Sequence, residues 1–154
     1  DNRDPDNMGR VKVQLPWLGD NVESTWARTA SPMAGKERGL LYLPEVGDEV
    51  LVGFEHGDIH RPYVLGALWN GQEKPPRADK DAVDGSGKVV QRLIRSRAGH
   101  IILLDDSDGG GGITIQDKSG NKIVLETASN ALKITVQGNL EIEAQGKVSI
   151  KGSA

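Results

Sequence analysis

Apolar and polar residues alternate over short stretches along the whole chain, and no stretch keeps a helical period. Between residues 8 and 71 the pattern predicts strands at 10–15, 24–30, 40–43, 49–55 and 62–69. In Val11-Lys12-Val13-Gln14-Leu15 the two valines and the leucine share one face. In Val50-Leu51-Val52-Gly53-Phe54, Val50, Val52 and Phe54 do the same. Turn signals separate the runs: Leu18-Gly19-Asp20-Asn21, Ser31-Pro32, Val46-Gly47-Asp48, His56-Gly57-Asp58 and Asn70-Gly71. Strands spaced about every ten residues, with no helix between them, predict a small sandwich or barrel over residues 1–71. Trp17, Trp26, Phe54 and Trp69 all lie in this half and are read as its packing residues.

Residues 72–92 break the pattern. Gln72-Glu73-Lys74-Pro75-Pro76-Arg77 does not suit a strand ladder, and 79–87 is charged and glycine-bearing, so this stretch reads as a linker. Residues 93–154 contain no aromatic residue and no proline, yet apolar alternation returns. The pairs and triplets are Ile113/Ile115, Ile123/Leu125, Leu132/Ile134/Val136, Leu140/Ile142/Ala144 and Val148/Ile150. The last three groups recur every eight residues, with Gln137 and Gln145, then Gly138 and Gly146, also in step.

These strands are about five residues long and carry one apolar face with nothing bulky to cover it. The inward set is Ile113, Ile115, Ile123, Leu125, Leu132, Ile134, Val136, Leu140, Ile142, Val148 and Ile150. Burying it is worth about 20 kcal/mol gross per chain. The first half has its own core and the linker is polar, so the face is expected to meet its own copies about an axis. Three chains wound together make a prism with a closed apolar centre, glycines at the corners and Lys133, Thr135, Glu141, Glu143 and Ser149 facing water. An up-and-down meander within one chain is the alternative on pattern alone.

Composition narrows the chemistry. The chain has 154 residues, 20 glycines and no cysteine, which removes disulfides, thiol catalysis and cysteine-ligated metals. No apolar run approaches the roughly 20 residues of a membrane-spanning helix, and no secretory signal is present. The chain opens on Asp1, which reads as a fragment or a processed product. Net charge is −3: residues 1–71 hold 7 Lys+Arg against 11 Asp+Glu, and residues 72–154 hold 12 against 11. Neither half has the basic excess that phosphate binding needs, so nucleic acid is not an expected partner.

Candidate chemistry is sparse. Glu55-His56-Gly57-Asp58-Ile59-His60 offers two imidazoles and two carboxylates, but its spacing suits a polar hairpin turn, and His100 is the only other histidine. Asp105-Asp106-Ser107-Asp108-Gly109 lacks the full acidic spacing and the closing glutamate of a calcium loop. Gly109 to Gly112 is followed by no Gly-Lys-Ser/Thr. No histidine stands beside a nucleophile and an acid in a recognisable frame. The expectation is a non-enzymatic protein without cofactor or metal.

Several motifs carry a family resemblance. Gly9-Arg10-Val11-Lys12-Val13-Gln14-Leu15-Pro16-Trp17 and Ser24-Thr25-Trp26-Ala27-Arg28 resemble the barrel of central spike proteins of contractile injection systems. So does Pro44-Glu45-Val46-Gly47-Asp48-Glu49-Val50-Leu51-Val52-Gly53-Phe54-Glu55-His56-Gly57-Asp58. Arg61-Pro62-Tyr63-Val64-Leu65-Gly66 and Trp69-Asn70-Gly71 follow in family order. Arg97-Ala98-Gly99-His100-Ile101-Ile102-Leu103-Leu104-Asp105-Asp106 resembles the entry to the spike's β-helix. The family includes valine-glycine repeat protein G of type VI secretion, contractile-phage tail spikes and spikes of extracellular phage-tail-like particles.

The resemblance implies an all-β fold: an oligonucleotide/oligosaccharide-binding (OB) barrel at 1–71, a linker at 72–92 and an intertwined, trimeric, triple-stranded β-helix at 93–154. It implies a structural, membrane-puncturing spike at the tip of an inner tube. Such a spike is assembled in the bacterial cytoplasm and driven out of the producing cell through a target membrane. A hub and inner-tube proteins would join at the N-terminal end, although the large hub region of the family is not in this sequence. A tip protein of the proline-alanine-alanine-arginine class would dock on Gly152, Ser153 and Ala154, and effectors would travel as cargo. The iron-binding histidine pairs of some phage spikes are missing after His100. The competing reading is a glycan- or nucleic-acid-binding barrel with a trimerisation stalk. A further one is an enzyme fragment that has lost its catalytic domain.

Overall fold

In the computed structural model the described residues are 1–76 and 82–152. They are all-β apart from short 3₁₀ turns and Ala82, and they divide into two compact units, Asp1–Pro75 and Pro76–Ala154.

The first unit is built around alternation. Val11, Val13 and Leu15 point inward with Ala27 and Val64, and these five form the buried core. Val50, Val52, Phe54 and Ile59 pack against them. Segment 11–15 lies antiparallel to 22–27, tied at Val11 to Ala27 and at Gln14 to Glu23. Strand β1 (Arg28–Thr29) runs parallel to β5 (Pro62–Ala67), and β4 (Val50–Phe54) runs antiparallel to β5. Between them a short hairpin is made by β2 (Ala34–Gly35) and β3 (Arg38–Gly39). This is an OB-like arrangement of small strands over one aliphatic core. Ser24 is buried but satisfied: its hydroxyl accepts from the Val13 amide at 3.1 Å and donates to the Thr25 carbonyl at 2.6 Å.

Two expectations change here. Residues 40–43 form no strand, because the tight β2–β3 turn ends at Gly39 and leaves Leu40, Leu41, Tyr42 and Leu43 on the surface. The barrel's bulk is aliphatic, not tryptophan. Trp17 and Trp69 are 66% and 69% exposed in the single chain, Trp26 is half-buried, and only Phe54 of the four reaches the core. Outward positions on these strands simply alternate with the inward valines, and the tryptophans fall on the outward register or in turns.

The second unit is one antiparallel sheet. Its strands are β6 (Gln91–Arg95), β7 (Ile101–Asp105), β8 (Gly112–Gln116), β9 (Lys122–Glu126) and β10 (Ala131–Thr135), in chain order across the sheet. Within one chain this is the up-and-down meander that the pattern also allowed. Local turn chemistry selects it. At the β8–β9 turn the Asp117 carboxylate accepts from the Ser119 and Asn121 amides, and Gly120 takes φ +90°. β6 begins inside the stretch read as linker, and a Val83–Val89 bridge precedes it.

Gly112 opens β8 because nothing larger fits: a Cβ there would run into the Leu125 carbonyl oxygen across the ladder. Gly112→Ala is expected to destabilise the second unit by about 1–3 kcal/mol. Gly110→Ala, where a Cβ meets open space, should stay within about 0.5 kcal/mol of the parent. Thermal unfolding of the two variants checks the contrast.

Candidate assembly surface

Antiparallel register puts directly opposed residues on one face. One row across the sheet reads Ile94, Ile102, Ile115, Ile123, Ile134. The next reads Arg92, Leu104, Ile113, Leu125, Leu132. Nine of these ten side chains are aliphatic, and every aliphatic one is exposed, from 38% at Ile113 to 64% at Leu132. The single charge, Arg92, sits on the outer strand and is drawn off to Asp106 at 2.6 Å.

The reverse face looks different. Gln91 Nε2 donates to Asp105 at 2.9 Å, and Lys133 Nζ reaches both oxygens of Glu126 at 2.7 and 2.8 Å. Lys133 and then Ser129 hold the Glu126 carboxyl below the usual range. That face carries these polar pairs beside Leu93, Ile101, Leu103 and Val124, which are half-buried. The aliphatic face has no such partner. Covering nine half-exposed side chains is worth about 10 kcal/mol gross per chain, at about 1 kcal/mol each. A patch of this size is well beyond the scattered apolar residues of an ordinary surface.

Six of the eleven residues expected on the inward face lie in these rows: Ile113, Ile115, Ile123, Leu125, Leu132 and Ile134. The other five, Val136, Leu140, Ile142, Val148 and Ile150, lie on residues 136–152, which form no ladder among the described residues. They are exposed as well. The segment is tied to the sheet at its start, where the Gln137 amide donates to Asn121 Oδ1 at 2.7 Å. Of the three positions expected to dock a tip protein, Gly152 is exposed, and Ser153 and Ala154 lie outside the described residues. Sequence reasoning missed Ile94, Ile102 and Leu104. Leu93-Ile94 and Ile101-Ile102-Leu103-Leu104 are unbroken apolar runs, so alternation gave no face; only the register assigns one.

On the first unit, the loop before the barrel is held by Asp4. Its carboxylate accepts from the amides of Asp6, Met8 and Arg10 and from Arg10 Nη2 at 2.7 Å. The Arg10 guanidinium holds the Asp4 carboxyl well below the usual carboxylate range. An unfolded chain takes up that proton near pH 4, whereas the native chain refuses it. The clamp's stabilisation is therefore full at neutral pH and is lost as pH falls below about 4. Asp4→Asn is expected to lower the barrel's melting temperature by several degrees at pH 7, with the gap closing as the solution is acidified. Melting curves at pH 7 and pH 3 check both parts.

The other candidate groups are spoken for locally. Arg61 bridges Glu55 at 3.5 Å and Asp58 at 3.7 Å in the histidine-bearing turn. Asp105 accepts from the Ser107 amide at 2.9 Å, and Asp106 pairs with Arg92. Among the described residues no three His, Asp or Glu side chains converge as a metal site. Trp26 carries the Lys12 ammonium 5.4 Å from its ring centre, and Arg28 stacks 4.5 Å over Tyr63.

Residues 1–69 match the family described as the type VI secretion system/phage-baseplate injector OB domain. Over 127 residues, 78% of this chain, the sequence is 36% identical to the type VI secretion system spike protein VgrG5 of Pseudomonas aeruginosa, 14% of that protein. It is 38% identical over 80 residues to the spike protein VgrG2a of the same organism, covering 49% of this chain and 10% of the relative. The type VI secretion system spike protein VgrG3 of Vibrio cholerae matches equally well, at 38% over 80 residues, 49% of this chain and 8% of that protein. The chain thus spans about a seventh or less of the length of these relatives.

Proposed function

The chain belongs to the spike-protein family of type VI secretion systems and phage baseplates, and from that premise we propose that three copies assemble into a membrane-puncturing spike. The supporting observation is the aliphatic face of the β6–β10 sheet, open in one chain. Three sheets meeting about an axis bury that face and leave the Glu126–Lys133 face in water. Residues 136–152 then continue the pattern as strands exchanged between chains, a triple-stranded β-helix with Leu140, Ile142, Val148 and Ile150 in stacked layers. Strands shared by three chains resist axial load, because no chain can leave alone. The role is mechanical and not enzymatic. A tip protein rides on one end, the inner tube joins at the other, and the particle is assembled in the cytoplasm before the spike is driven outward.

The barrel-plus-stalk alternative, a glycan or nucleic-acid binder, has less behind it: Arg28 and Lys12 sit on the rings of Tyr63 and Trp26 and occupy the stacking surfaces such a ligand needs.

Light scattering on the purified chain tests the proposal. The expected mass is three times 16.5 kDa, unchanged on dilution to the micromolar range. A folded, protease-resistant species of 16.5 kDa under those conditions overturns it.

A further inference from the structure

Beyond β10 the chain runs on without a ladder. After the Gln137 amide donates to Asn121, the backbone of 138–152 makes no hydrogen bond among the described residues. Leu140, Ile142, Val148 and Ile150 on this segment are 53% to 88% exposed in one chain. Strand alternation places the residues between them on the opposite side. These outward positions are Lys133 and Thr135 in the first eight-residue repeat, Glu141 and Glu143 in the second, and Ser149 and Lys151 in the third. Lys133 already holds Glu126. Glu141, Glu143 and Lys151 are exposed and make no ion pair or hydrogen bond among the described residues.

The apolar positions do not fix how copies align along the axis. Leu132, Leu140 and Val148 are near-equivalent, and Ile134, Ile142 and Ile150 are identical, so a copy shifted by a whole repeat buries the same kind of side chain. The outward charges discriminate. When three copies wind one face per repeat, the strand stacked on another belongs to a neighbouring copy and lies one repeat further along. Lys133 then meets Glu141, and Glu143 meets Lys151. A copy that slips by one repeat loses this on both sides. It meets one neighbour with no offset, where Glu141, Glu143 and Lys151 each face their own kind. It meets the other two repeats out, where Lys133 faces Ser149 and Thr135 faces Lys151. Stacked strands lie about 4.8 Å apart, close enough for opposite charges to attract and like charges to repel.

We infer that these charges hold a second copy of the chain in register, one repeat out of step, with Glu143 of one copy paired to Lys151 of the next. The apolar stripe drives association, and the charge pattern selects one alignment from those the stripe allows. This inference rests on the threefold spike reading and adds to it the surface that sets the alignment.

The test is a charge-swap cycle on the whole chain, read by sedimentation equilibrium at low ionic strength. E143K and K151E each set like charges across the stack at three places in the assembly. Each should weaken association at least tenfold, with the far-UV circular dichroism of the separated chain unchanged. E143K/K151E restores opposite charges and should return to within about threefold of the parent. E143K/K147E has the same net charge but still leaves a cation facing Lys151, and should stay weak. K147E alone, which faces Asn139 one repeat back, should match the parent. At about 1 M salt the differences should narrow. Single variants that associate as tightly as a threefold parent overturn the inference and leave the spike reading standing. Equal rescue by E143K/K147E makes net charge the cause and overturns the pairing. A parent that sediments as one copy overturns the spike reading, and the inference with it.

Discussion

Ile123→Asp and Ile142→Asp are each expected to leave the chain folded but single, at concentrations where the parent is threefold. Ile123 lies near the centre of the aliphatic face, between Ile115 and Ile134 in register, and is 41% exposed in one chain. In a lone chain, aspartate there stays hydrated and costs about 1 kcal/mol of strand preference. In the assembly three carboxylates enter a dry axis, and each loses several kcal/mol of hydration with no cation to meet it. That exceeds the roughly 10 kcal/mol gross that covering the face contributes per chain once ordering costs are subtracted. Ile142 is 67% exposed on the ladder-free segment, so the same reasoning applies one layer further along. Lys122→Asp, on the reverse face beside Gln116 and Thr135, should assemble as the parent does. Sedimentation equilibrium with far-UV circular dichroism separates loss of assembly from loss of fold. An Ile123→Asp chain that still sediments as three copies removes the axial role of that row.

Val64→Asp should unfold the first unit outright. Val64 is 1% exposed, at the centre of β5, with Thr29 beside it on one strand and Val52 on the other. Its neighbours in the core are Val11, Val13, Leu15 and Ala27, none of which can partner a carboxylate. Burying an unpaired charge there costs at least about 3 kcal/mol. A small domain has only about 5–15 kcal/mol of net stability to lose. Urea titration should show a transition for the first unit at far lower denaturant, or none. Val64→Ala is the milder companion and should cost about 1–2 kcal/mol through the lost methyls and the cavity. If Val64→Asp melts like the parent, the β5 core assignment is wrong.

Much of the fold was legible in the residues. Alternation puts Val11, Val13 and Leu15 on one face and Val50, Val52 and Phe54 on another, and they are the core or pack on it. The β8, β9 and β10 strands appear where Ile113/Ile115, Ile123/Leu125 and Leu132/Ile134 alternate. The open aliphatic face could be inferred because nothing bulky remained to cover it. Trp17 and Trp69 are not part of this core in one chain. Large aromatic side chains usually fill cores, but Trp17 follows Pro16 in a 3₁₀ turn and Trp69 lies just beyond β5, so neither backbone position faces inward. The strand expected at 40–43 was lost to a tight hairpin one step earlier, a choice made by the positive φ of Glu37 and Gly39.

The residues alone settled which side chains share a face, since a strand's two faces follow from a period of two that any five-residue stretch displays. They also settled that one face would go uncovered, because that depends only on an inventory of bulk. Tertiary structure alone decided which strands lie side by side. Ile94, Ile102 and Leu104 join the aliphatic rows only through the β6–β7–β8 register. Register and closure arise from contacts between residues far apart along the chain, and no local pattern records them.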